Sequence, residues 1–157
     1  MFARAALLAS SASCSLYTGH DPTPHSPPDA AASTFDYGAA CMAPRGPAVT
    51  VAVASVPTIL NGRWWRCGGA DEFLGHHVEF TLDQHFYDLT QQGGSFVRNL
   101  GPDTSGTYTV NASSSGITIS INVLWASGGG PGYPLVGNVD TMPRTMALGG
   151  GGYVAIP

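Results

Sequence analysis

The densest run of chemistry-bearing side chains is His76-His77-Val78-Glu79-Phe80-Thr81-Leu82-Asp83-Gln84-His85. On a strand, His77, Glu79 and Asp83 point one way, and a tight turn at Asp83-Gln84 returns His85 beside them. Imidazole with carboxylate suits zinc, but the spacing matches no established ligand motif. Val78, Phe80 and Leu82 alternate with polar residues, which makes this an ordinary half-buried strand with one solvated face. No metal site is assigned. Glu79 with Asp83, or Asp71 with Glu72, has the composition of a glycosidase acid pair, yet nothing sets either pair in a cleft. There is no Gly-x-Ser-x-Gly elbow, no His-Glu-x-x-His and no phosphate-binding glycine loop leading into a helix. No catalytic residue and no cofactor is therefore expected. His20 and His25 lie with Asp21 and Asp29 in a proline-rich tract that reads as a solvated stalk, because a mobile segment does not preorganise ligands. Asn111-Ala112-Ser113 is a sequon, relevant only in a glycosylating host.

The elements that must position any such group are strands. From residue 60 onward the hydrophobic period is two, and glycine turns recur every 8–12 residues. Strands are expected at Leu60–Cys67, Val78–Leu82, His85–Leu89, Ser95–Arg98, Gly106–Asn111, Ile117–Leu124, Pro143–Leu148 and Gly152–Ile156, with a further candidate over Ala48–Ser55 that puts Val49, Val51 and Val53 on one face. Ile117, Ile119, Ile121 and Val123 share a face, and residues 126–134 read as a flexible loop. The fold class expected is all-β: a small antiparallel meander barrel or curled sheet of seven or eight strands. The 157 residues make one domain with appendages. The boundaries are a signal-type segment over 1–14, a Pro/Ala/Ser-rich linker over 15–47, both disordered, and the barrel-like domain over 48–157.

Charged residues are only 10% of the chain, lysine is absent, and six scattered arginines leave a net charge of −4. That excludes the clustered basic field that nucleic acid or an anionic membrane surface requires. At the amino terminus Arg4 precedes a short apolar run, Ala5–Ala9, and then small residues, which is the layout of a secretory signal. The run is far shorter than the roughly 20 residues of a membrane-spanning helix. Cys14 follows Ser11-Ala12-Ser13, and this resembles the lipobox of bacterial lipoproteins, although Ser11 stands where the pattern prefers Leu. The resemblance implies acylation at Cys14, so that the membrane is met only through a lipid anchor; plain cleaved export and an unprocessed start are the other readings. With Cys14 acylated, Cys41 and Cys67 are left for one disulfide, which export permits. The alternative is two unpaired thiols.

Gly62-Arg63-Trp64 resembles the Gly-x-Trp signature of lipocalin and calycin-like barrels, and Gly106-Thr107-Tyr108 resembles the Gly-x-Tyr strand starts of avidin-like members. The resemblance covers roughly residues 58–157; the Thr-Asp-Tyr-type motif and the carboxy-terminal helix are missing. It implies that Gly62 and Trp64 form the barrel floor, with Arg144 as a cation–π lid over Trp64. The whole layout is similar to that of bacterial lipoproteins. The function expected is therefore a non-enzymatic protein, secreted or held in the periplasm or at the outer membrane. It binds a small apolar ligand at a barrel mouth near Trp65, Tyr108 and Trp125, or serves as a structural or interaction module. The alternative is a carbohydrate-binding or adhesion module that presents exposed aromatics to a surface glycan. A secreted hydrolase ranks last.

Overall fold

A computed structural model describes residues 35–69, 76–128 and 130–157. The expected signal, the Cys14 acylation site, the stalk histidines and the Asp71–Glu72 pair lie outside the described residues.

The strands are β1 (Val51–Ala52), β2 (Gly62–Gly69), β3 (His77–Phe80), β4 (His85–Gln92), β5 (Ser95–Arg98), β6 (Ser105–Val110), β7 (Ser115–Gly116), β8 (Ile119–Trp125), β9 (Tyr133–Thr141), β10 (Arg144–Leu148) and β11 (Gly151–Ala155). Eight of them close an antiparallel barrel in the order β3-β2-β11-β10-β9-β8-β6-β4, with β4 pairing back onto β3. β5 lies outside this ring and pairs with the distal half of β4, Leu89–Gln92. β1 and β7 form a separate two-residue ribbon.

Period-two alternation turns one face of each strand inward. Trp64 pairs with Val78, Val78 with Asp88, and Phe80 with Phe86, so these side chains share the interior. Trp64, Phe80, Phe86, Tyr108, Met146 and Tyr153 are at most 1% exposed and fill the barrel with Ile119, Ile121 and Leu148. A ring of eight strands leaves an interior that side chains can fill, and here they do.

Two short helices complete the unit. α1 (Tyr37–Met42) is capped by Asp36, whose Oδ1 accepts the Ala39 N–H at 2.9 Å. α2 (Val56–Leu60) carries Pro57 in its first turn, where a missing N–H costs nothing. It buries Val56 and Leu60 at the end of the barrel where β2 begins. The packed unit begins at Phe35, ahead of the domain start expected at residue 48.

Several local expectations differ from the structure. Leu82, expected to share the core face of Val78 and Phe80, is 60% exposed because β3 ends at Phe80, and Glu79, expected on the solvated face, is buried under Arg98. The Ala48–Ser55 strand shrinks to β1 and a 3-10 turn, leaving Val53 41% exposed, because its partner β7 is only two residues long. Ile117 is 56% exposed, since β8 starts only at Ile119, beyond the turn at Gly116 with φ +62°. β9 was not expected, because Pro134 and Gly137 interrupt its pattern. Gly137 is required there: a Cβ would overlap the carbonyl oxygen of Ala147 on β10.

Candidate functional site

The residues singled out from sequence fall into three places. Gly62, Trp64 and Arg144 meet at the α2 end of the barrel. The Trp64 ring is fully buried, its Nε1–H donates to Leu60 O at 2.9 Å, and the Arg144 guanidinium lies over it, 4.6 Å from the ring centroid. Arg144 Nη2 also donates to the carbonyls of Ile59 (2.6 Å) and Asn61 (2.8 Å). Gly62 has φ +131°, and a Cβ there would approach Arg144 Nη1 to 3.4 Å. Burial lowers the Arg144 pKa.

Trp65 points to the outer face, but neither side of its indole is open. Tyr37 of α1 stacks on it at 4.3 Å and His77 at 4.0 Å, with Phe96 edge-on at 6.0 Å. A sugar or apolar ring needs an aromatic face, and Trp65, as the middle of a ladder, has both of its faces covered. His77 Nδ1 accepts the Arg66 N–H at 3.0 Å, which places its proton on Nε2; burial, then His76 and Arg66, hold its pKa below the usual value. Beside the ladder, Cys41 of α1 is joined to Cys67 of β2 by a disulfide with Cα atoms 5.5 Å apart.

The rest of the polar run makes ion pairs. Glu79 accepts a fork from Arg98 (Nε at 2.7 Å, Nη2 at 3.0 Å), and Arg63 Nε stands 3.5 Å away. The Arg98 fork holds the Glu79 carboxyl below the usual range against the opposing effect of burial. His85 Nδ1 is 3.2 Å from Asp83 Oδ2. No three metal-ligating side chains converge among the described residues.

Tyr108 lies in the interior, not at a rim. It is 1% exposed, and its hydroxyl donates to Thr81 O at 3.1 Å. Burial pushes its pKa up to about 12. Trp125, by contrast, sits half-buried at the far end of β8, edge-on to Phe86 at 4.7 Å. It has the inward parity of Ile121 and Val123 and packs against the core, and its remaining surface lines a groove of about 510 Å3 with His85, Tyr87, Thr107 and Leu124 and an adjoining hollow of about 170 Å3 with Ser127 and Tyr133.

One residue in an unusual state was not singled out. Asp88 faces the interior, is 3% exposed, and its Oδ1 has no hydrogen-bond partner among the described residues. Burial pushes its carboxyl up to about 6, against a smaller opposing effect of His76. The signal was legible: in His85-Phe86-Tyr87-Asp88-Leu89, Asp88 shares the core-facing parity of Phe86. Because the folded-state pKa lies above the ordinary 3.8, this group's favourable share of stability is full below pH 4 and is lost as pH rises through 6. The shift corresponds to at most about 3 kcal/mol. Urea titrations of Asp88→Asn should match wild type near pH 4 and exceed it by up to that amount at pH 8. An unchanged difference across this range would show that Asp88 is not the group responsible.

The chain matches no protein-family model, no curated protein and no solved structure.

Proposed function

We propose that this chain is an exported, non-enzymatic binding module that takes a surface glycan on the outer face of its barrel, around Trp125. The observation that carries the reading is the position of Trp125 between two adjoining hollows, with Tyr87, His85, Thr107 and Tyr133 around it. Sugars combine apolar C–H faces with rims of hydroxyls. A half-buried indole offers contact to the first, and flanking hydroxyl and imidazole groups offer directional bonds to the second. The filled interior favours this outer site over an apolar ligand held inside the barrel. A non-enzymatic role is supported by Glu79, which two arginines already engage. Export is supported by the Cys41–Cys67 bond, since disulfides persist in oxidising compartments. The lipocalin-like and lipoprotein readings belong to the same proposal, and the mass of the mature chain tests acylation at Cys14.

Calorimetric titration with glucan, chitin and galactan oligosaccharides tests the glycan site. Thr107 is exposed on β6 and lines the groove. Thr107→Glu should abolish binding while leaving the melting temperature within about 2 °C, as surface substitutions usually do. Binding that survives Thr107→Glu, or saturable binding to none of the three families, overturns the site.

A further inference from the structure

The α2 end of the barrel holds a cation with no carboxylate beside it among the described residues. Arg45, Arg63 and Arg98 each have a carboxylate oxygen within 4 Å. Arg144 has none among the described residues; its only hydrogen bonds there run from Nη2 to the carbonyls of Ile59 and Asn61. Nε and Nη1 are left over as donors. The guanidinium sits over the Trp64 ring and is held by two backbone carbonyls, so its direction is set before any ligand arrives. It borders a cleft of about 400 Å3 with apolar walls from the partly exposed Val49 and Ile59, over the buried Val139, and a rim that includes Thr58 and Thr141. Asp140 also lines the cleft, but its carboxylate is engaged by Thr145 Oγ1 (3.1 Å), Asn138 Nδ2 (3.0 Å) and Arg45 (3.7 Å).

We propose that this cleft binds a small amphipathic carboxylate, its head on the remaining Arg144 donors and its hydrocarbon body against Val49 and Ile59. A guanidinium fork matches a carboxylate in shape and charge. The attraction is stronger in a partly desolvated site than in open water. The apolar walls add contact area that an inorganic anion does not use. The site is separate from the glycan groove: β8 and β10 run in the same direction, and Trp125 and Arg144 stand at their opposite termini. This inference does not rest on the glycan reading.

Octanoate is the probe, with 1-octanol, acetate and octyltrimethylammonium as comparisons, read by two-dimensional 15N NMR of the folded chain. Octanoate should saturably shift the Arg144 Nε–H and the amides of Val139 and Thr141, at least tenfold more tightly than any of the three comparisons. Arg144→Gln should weaken binding at least tenfold. Because Arg144 also braces Trp64, Thr58→Glu is the companion variant: Thr58 is exposed, and a glutamate there fills the site with the chain's own carboxylate. It too should cost at least tenfold, with the remaining spectrum unchanged. Octanol or acetate binding as well as octanoate, wild-type affinity in Thr58→Glu, or no saturable shift at these positions each overturns the proposal. None of these outcomes bears on glycan binding, which Thr107→Glu reads at the other end of the barrel.

Discussion

Replacing Trp64 with alanine should lower the unfolding free energy by about 4 kcal/mol, the size expected for removing a large aromatic from a packed core. Three losses add at this position. The ring is fully buried among residues that cannot close over the gap, because a closed barrel holds its strands at fixed spacing. The Nε1–H bond to Leu60 O, which ties α2 to the barrel, disappears. Arg144 loses the ring beneath its guanidinium. Domains of this size have a stability of about 5–15 kcal/mol in total, so much of the variant population should unfold under mild conditions. Equilibrium urea denaturation followed by far-ultraviolet circular dichroism measures the change. Trp65→Ala is the control: its ring is only half-buried, in the outer ladder, and the loss should be less than half as large. Equal losses at the two positions would refute the assignment of Trp64 to the interior and Trp65 to the outside.

Reduction of the Cys41–Cys67 bond should cost about 3.5 kcal/mol by the loop-entropy relation, given a sequence separation of 26. The loss has a local meaning as well. The backbone hydrogen bonds of Tyr37, Ala40 and Ala43 run only to near neighbours, and the first to reach the barrel is from Thr141 N–H to Pro47 O. α1 has no buried residue. Among the described residues it is held by the disulfide, by Tyr37 against Trp65 and Phe96, and, just past its end, by the Arg45–Asp140 pair. Reduction should therefore free α1, lift Tyr37 from the indole and open one face of Trp65. The expected result is a lower melting temperature in a phosphine reductant and in the Cys41→Ser/Cys67→Ser variant, with iodide quenching of tryptophan fluorescence raised in both. A reduced protein that melts within about 2 °C of the oxidised one would show that the covalent link contributes little.

The opposite directions of Trp64 and Trp65 were readable from strand parity alone. What occupies the two faces of Trp65 was not, because Tyr37 lies 28 positions earlier in the chain and only the disulfide-anchored α1 brings it there. Tyr108 has the composition of a rim residue, an aromatic with a polar tip between two threonines. Its place inside follows from pairing with Val123 on β8, a partner that no local pattern names. β9 escaped notice for a related reason. Its proline and glycine look like breakers in isolation, but the glycine answers the approach of a neighbouring carbonyl that exists only once β10 is paired.

The amino-acid sequence by itself determined the all-β class, the parity of each strand and the low charge, since all three depend on residue type and short spacing. The closure of β3 onto β4, the covering of the Trp65 ladder, the burial of Asp88 and the placing of Arg144 over Trp64, with no carboxylate near it among the described residues, were decided only by the tertiary structure. Each of these depends on which distant groups come within a few ångströms, and burial and electrostatic pairing exist only once those distances are set.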